Sequence, residues 1–411
     1  MRVRAGRGLE GREAESAGRR LTRRSFLRDA LVAAGAVAAS AGGGLLARPA
    51  GAGRPRPPGG AQAYGPLQGP DANGLRLPAG FTSRVVARSG SLVAGTSYVW
   101  HGAPDGGAVF PLASGGYVYV SNAELAAGGV GAIRFDAAGA IADAYRILSG
   151  TSRNCAGGPT PWGTWLSCEE IALGHVWECD PQNAQAGVRH AGLGSFNHEA
   201  AAVDPFHGRV YLTEDRVDGL LYRFTPDAYP DLSAGVLEAA EAVGDDPFSA
   251  RPLVWHPIPL PNPTTGQTHT RYQVPEATTF DGGEGAWYER GIVYFGTKGD
   301  NRIWSLNTFN DTLRILYDRA TSPNPLLSGI DNVFVTPARD VFVAEDGGNM
   351  EIVAITPLGS VVPVLRLDGH SNSEITGPAL DPSGGRLYFS SQRGANGIGI
   401  GTTYEVTGPF V

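Results

Sequence analysis

Carboxylates recur along this chain at one place in a repeating apolar pattern, and a single thiol takes that place once. Six aromatic-rich runs end on polar or acidic residues: Tyr117 to Glu124, Trp162 to Glu170, Val210 to Asp215, Ile292 to Asp300, Val341 to Asp346 and Leu387 to Arg393. Five of them follow a polar group set roughly a dozen residues earlier, namely Cys155, Glu199, Glu284, Asp331 and Glu374. Like charges brought together repel unless cations bind between them. Glu124, Glu169, Glu170, Glu199, Glu214, Glu284, Glu345 and Glu374 are therefore candidate metal ligands, together with Cys155. Oxygen donors in such number suit Ca²⁺, whereas Mg²⁺ keeps more of its waters. A thiolate suits a transition metal such as iron. Asn122, Asn154 and Asn332 add neutral carbonyl oxygens. The plainer alternatives are that each acid caps a turn and that Cys155 is a small buried apolar group. His198 neighbours Glu199 and so faces the other side of its strand.

Convergence of these groups requires a ring. The runs follow one another at about 46 residues, with one gap of about 80, and a period in that range marks a β-propeller blade of four strands. The expected fold is all-β, a six-bladed propeller whose innermost strands meet on one axis. Blades are expected over Phe81 to Ala138, Tyr145 to Pro181, Ser195 to Pro226, Phe280 to Ile315, Gly329 to Val364 and Ser373 to Tyr404. The long gap predicts an insertion over about 227–279, between blades three and four, lying over one mouth of the channel. Its Ala/Glu-rich segment from Val236 to Val243 suggests one helix. Turns such as Asp204-Pro-Phe-His-Gly208 and Asp381-Pro-Ser-Gly-Gly385 join paired strands. Closure by Thr403 to Thr407, or by the segment near Phe81 to Val86, removes free sheet edges.

The chain has 411 residues and a formal net charge of -7, with basic residues clustered only near its start. That balance argues against a nucleic-acid partner. Thr22-Arg-Arg-Ser-Phe-Leu-Arg28, the uncharged run Ala30 to Leu46 and a Gly/Pro/Arg-rich stretch read as a twin-arginine export signal and linker over 1–63, removed near Ala61-Gln-Ala63. The translocase of that route is then a partner during export. The mature domain, 64–411, is expected as a monomer in the periplasm or outside the cell, with no membrane association. Of the three cysteines, an odd number leaves at least one unpaired: Cys168 and Cys179 could bridge neighbouring strands or stay reduced, and Cys155 is the one expected to be free. No P-loop, Rossmann glycine pattern or strand-elbow serine is present.

The stretch Asn154-Cys-Ala-Gly-Gly-Pro-Thr-Pro-Trp-Gly-Thr-Trp-Leu-Ser-Cys-Glu-Glu170, with Phe196-Asn-His-Glu-Ala-Ala-Ala-Val-Asp-Pro205 and Tyr211-Leu-Thr-Glu-Asp-Arg216, resembles the PhoX-type alkaline phosphatases. The similarity runs from about Phe110 to Ser391. The resemblance implies a six-bladed propeller, twin-arginine export and a cluster of Fe³⁺ and Ca²⁺ that hydrolyses small-molecule phosphate monoesters. It further implies Cys155 as thiolate ligand to iron, Glu170 and Glu284 as carboxylate ligands and Asn122 as a contact to phosphate. Where the family pattern reads Arg-Pro-Glu, this chain has Gly282-Gly-Glu284, so a guanidinium expected at the phosphate is missing there. Lys298, Arg393 or Arg302 would have to supply that charge, and Lys298 and Arg393 lie closest to the ends of inner strands. Two rivals are a calcium-dependent lactonase, which Ile330 to Pro337 and Ala379 to Gly384 also resemble, and a calcium-stabilised binding module without catalysis. Cys155 argues against the lactonase, whose sites use oxygen ligands.

Overall fold

The computed structural model describes residues 64–184 and 187–410, so the expected export signal lies outside the described residues. No helix among them is long and apolar enough to cross a membrane. Alternating apolar strands punctuated by Gly and Pro turns build an all-β, propeller-like fold of antiparallel sheets, with only short 3-10 turns besides among the described residues. In each of six hairpins a first strand pairs with a second. The first strands are Pro104–Pro111, Asn154–Pro159, His198–Asp204, Gly283–Glu289, Ile330–Val335 and Ile375–Leu380. The second strands are Tyr117–Ala123, Trp165–Glu169, Arg209–Glu214, Ile292–Thr297, Val341–Glu345 and Arg386–Ser391. Consecutive first strands lie side by side, and Ile375–Leu380 packs back against Pro104–Pro111, so they enclose a common axis.

These hairpins belong to five hydrogen-bonded sheets rather than six, because the insertion joins two of them. Arg251–Pro257 pairs on one side with Asp231–Ala242 and on the other with Thr312–Asp318, fusing two meanders into one ten-stranded sheet. The helix expected from Val236 to Val243 is thus corrected to a strand. Its Ala/Glu propensity is overridden by ladders on both edges, with Leu237, Ala239 and Ala240 buried. At the ends the expected closure is present: Thr82–Arg88 pairs with Thr402–Thr407 in the last sheet, so the first sheet begins at Pro104 and not at Phe81.

Aromatic and branched side chains fill the space between neighbouring sheets. Tyr388 of the last sheet lies against Tyr119 and Phe135 of the first, at ring separations of 5.4 and 5.0 Å. Each such fully buried side chain contributes about 1.5–3 kcal/mol, and together they fix the angle between sheets.

One irregularity recurs in every first strand. The pairing register slips between Pro104 and Gly107, Asn154 and Gly157, His198 and Ala201, Gly283 and Ala286, Ile330 and Val333, and Thr376 and Ala379. A bulge of this kind inserts one extra residue and re-aims the side chain it carries. In five strands the bulge begins with Asp105, Cys155, Glu199, Glu284 or Asp331, all ionisable. In four of the five a Gly or Ala comes next, which follows from crowding at the axis: a Cβ on Gly106 would lie 2.6 Å from the Cα of Ala156, and one on Gly285 2.6 Å from the amide nitrogen of Val333.

Side chains bridge the bulged backbone from sheet to sheet. Thr213 donates to the Glu284 carbonyl (2.6 Å), Thr376 to that of Pro104 (2.7 Å), and the Gly377 amide donates to Asn332 Oδ1 (2.6 Å). The bulges, with their polar cargo, are thereby locked in place.

Candidate metal centre

Asp105, Cys155, Glu199, Glu284 and Asp331 enter the channel from five first strands. Glu124, Glu170, Asp215, Lys298, Asp346 and Gln392 stand at the corresponding place just past the ends of the second strands. Three groups have ligand atoms within 4.8 Å of one another: Cys155 with Glu170 and Glu199, Glu199 with Glu284 and Asp331, and Asp331 with Asp346 and Glu374. Glu199 and Asp331 are each shared, so the groups form one connected strip across the axis. The Cys155 thiol lies 3.2 Å from Glu199 Oε1 and 3.6 Å from Asp105 Oδ2. Gln392 donates through Nε2 to Asp105 (2.6 Å) and Glu124 (3.0 Å), while its buried Oε1 has no partner.

Lys298 and Arg393 sit among these acids, and Arg153 pairs with Glu124 from the rim (3.3 Å). Lys298 Nζ lies 2.9 Å from Glu284 Oε1 and 3.1 Å from Asp346 Oδ2. Arg393 reaches Glu374 at 2.9 Å and Glu124 at 3.6 Å. They leave most of the negative charge uncompensated. Burial, then neighbouring carboxylates, push the acid of Asp105, Glu199 and Asp331 well above the usual range. Glu170 is raised to about 7 by burial with Asp215 and Glu124. Glu284 is raised to about 8 by burial, against which Lys298 works. The Cys155 thiol is likewise pushed up by burial and then by Asp105 and Glu199. Buried like charges held this close, with a soft sulfur at one end and hard oxygens over the rest, are the donor set that bound cations fit.

Four candidate residues have other work, and the expectation for them is corrected. Asn122 is buried with its amide fully used: Nδ2 donates to the Cys155 and Ala156 carbonyls at 2.8 Å each, and Oδ1 accepts from Trp165 Nε1 and the Ser167 hydroxyl at 2.9 Å each. It holds the Cys155 bulge and has no capacity left for phosphate. Glu169 accepts from the amides of Ser152 and His175, and Glu345 from those of Ser328 and Glu351. Glu214 accepts from the Tyr222 hydroxyl (2.7 Å) and from Arg271 (2.9 Å). None of these three glutamates belongs to the grouped ligand atoms; each ties down the loop beside the channel.

Other residues fall as follows. Arg302 pairs with Asp300 and Asp318, away from the grouped acids. His198 stacks on Phe196 and lies 3.2 Å from the Gly194 carbonyl. All three thiols are free, since the register sets Cys168 opposite Val176 and Cys179 opposite Trp165. Glu374 precedes its strand, and the position matching Cys155 in that strand's register is Thr376, because the last bulge lies one residue deeper. Residues the sequence reading did not single out as ligands are Asp105, Asp215, Asp331, Asp346 and Gln392. The Pro104-Asp-Gly-Gly107 segment, a small-residue pair after an acid, is the signal that marks Asp105 as a fellow of Cys155 and Glu284.

The family model described as alkaline phosphatase PhoX matches residues 126–173 and 171–325. None of the curated proteins matches the chain in sequence. Among solved structures, PhoX of Pseudomonas fluorescens in complex with vanadate, a transition state analogue, superposes with a TM-score of 0.66 at 16% identity, covering 83% of this chain and 97% of its own. A gluconolactonase of Xanthomonas campestris gives 0.47 at 14% identity, over 81% of this chain and 97% of its own. The first of these likenesses is one of fold. The family match makes the chain similar to the PhoX-type alkaline phosphatases over residues 126–325.

Proposed function

We propose that the chain is a metal-dependent phosphatase-like hydrolase acting on small-molecule phosphate monoesters, with iron and calcium held in the channel. One observation carries the reading: a thiol and carboxylates from different sheets converge on the axis, with Cys155 at one end of the strip. Cys155, Glu170 and Glu199 would hold the softer ion, and Glu284, Asp331, Asp346 and Glu374 the harder ones. Bound cations would neutralise phosphoryl charge and polarise phosphorus. Lys298 and Arg393 present further positive charge at the same place, where it stabilises charge that develops on the phosphoryl oxygens. The Asn122 bridge and the bulges keep the ligands from relaxing away from one another.

The reading includes six blades, counting the ten-stranded sheet as two, and a monomer exported by the twin-arginine route to the periplasm or beyond after loss of 1–63. Metal analysis of untagged protein, paired with side-by-side assays of p-nitrophenyl phosphate and a simple lactone, tests it. Iron and calcium in the protein with phosphate release supports the reading. Lactone turnover alone favours the lactonase, and neither turnover favours a calcium-stabilised binding module.

A further inference from the structure

Positive charge at the mouth of the channel is almost all committed. Arg153 pairs with Glu124 (3.3 Å), Arg393 with Glu374, and Lys298 with Glu284 and Asp346. Arg216 differs: it is exposed and its side chain makes no close ion pair or hydrogen bond among the described residues, its charge acting on the neighbouring Asp215 from farther off. Its backbone, by contrast, is pinned. The Arg216 amide donates to the Glu214 carbonyl (3.0 Å), and its own carbonyl accepts from Gly219 (2.8 Å) and from Gly282 (2.9 Å). The two acids flanking this turn are clamped by the insertion. Arg271 reaches Glu214 Oε1 at 2.9 Å and Asp218 Oδ1 at 3.1 Å, and the Tyr272 hydroxyl donates to Asp218 at 2.6 Å.

The partner of the turn, Gly282, has φ of +69° and no side chain. A Cβ there would lie 3.3 Å from Asp215 Oδ1 and 3.6 Å from the Cβ of Lys298. The turn that carries Arg216 is therefore joined by a hydrogen bond to the backbone that flanks Asp215 and Lys298, with nothing larger than a hydrogen on Gly282 between them. A surface arginine in the ordinary case is solvated on a compliant loop. This one is a guanidinium on a pinned turn next to Asp215, without a close ion pair of its own, at a rim where Arg153, Lys298 and Arg393 are each paired.

We infer that Arg216 is a substrate-binding residue, the guanidinium that receives the phosphoryl oxygens of the substrate at the channel mouth. The inference rests on the phosphatase reading and deepens it. A guanidinium offers two parallel N–H groups to a tetrahedral oxyanion, which an ammonium cannot match. Arg271, Glu214 and Tyr272 are positioning residues that act through the turn.

The test uses the metal-loaded full-length chain and its R216A and R216K variants. Inorganic phosphate affinity is measured by titration calorimetry, p-nitrophenyl phosphate kinetics by steady-state assay, and Tm and calcium content are followed in parallel. R216A is expected to weaken phosphate binding and raise KM by about 10- to 100-fold, since the hydrogen bonds lost are to a charged group. R216K should recover part of this, with Tm and calcium content unchanged. Phosphate affinity in R216A within about twofold of the parent, or a loss explained by lower Tm and lost calcium, overturns the assignment. A parent chain that turns over no phosphomonoester and binds no phosphate overturns the functional reading itself, an outcome the variants do not mimic.

Discussion

At the scale of single residues, neighbouring acids in one run do opposite things. Glu170, Asp215 and Asp346 face the site, while Glu169, Glu214 and Glu345, one position earlier, hold loops. Side chains alternate along a strand, so a shift of one exchanges the two roles. The sequence shows that an acidic pair ends three of the six runs, and its phase depends on strand register that no local pattern marks plainly. Cys155 was legible because a thiol among spaced carboxylates has few other uses. Asn122 was misassigned because a buried amide with four partners looks, in sequence, like any polar residue near a site. Its removal should act on stability. Asn122→Ala leaves Trp165 Nε1 and two carbonyls unpaired and takes one partner from the Ser167 hydroxyl, and should cost about 2–4 kcal/mol in denaturant unfolding. Cys155→Ala should do the reverse: transition-metal affinity falls at least about tenfold by elemental analysis after dialysis, while calcium content and Tm change little.

At the scale of elements, the segment 227–279 was recognised as an interruption but not as a structural member. Propensity favoured a helix from Val236 to Val243, yet two flanking strands offered ladders, and tertiary pairing won. The rest of that segment reaches back through Arg271, whose side chain is 8% exposed and faces Glu214 at 0%. Breaking such a pair from one side leaves a buried charge. Arg271→Met should therefore cost about 3–5 kcal/mol, and Glu214→Leu in the same chain should restore most of it. Thermal melts of both variants check this, and a double variant no better than the single one would show that Arg271 acts by packing on Tyr272 instead.

At the scale of the whole molecule, a channel lined with acids couples folding to pH. The shifted groups, among them Glu170 at about 7 and Glu284 at about 8, bind protons in the native state that the unfolded chain has released above about pH 4.5. Carboxylates with raised values make stability fall as pH rises. Chelator-treated protein should be most stable near pH 4.5 and lose on the order of a few kcal/mol by pH 8, with the decline continuing above as Glu284 and the more strongly shifted acids ionise. Millimolar calcium should flatten that decline, because an ion that binds only the native state stabilises it by mass action. Melting curves across this range, with and without calcium, are the measurement; a flat curve without calcium would mean that the acids do not share one enclosure. The repeat period and the all-β class were readable from spacing alone, whereas the fused sheet was not, since it depends on an outer strand pairing across two meanders.

The strand Thr82–Arg88 lies against Thr402–Thr407, and the rings of Phe81 and Phe410 are 5.0 Å apart. An early strand is thus held by a late one. Until Ile375–Leu380 and Arg386–Ser391 pack against Pro104–Pro111 the ring is open along one seam, and Asp105 and Glu374, acids of the first and last sheets, do not yet face one enclosure.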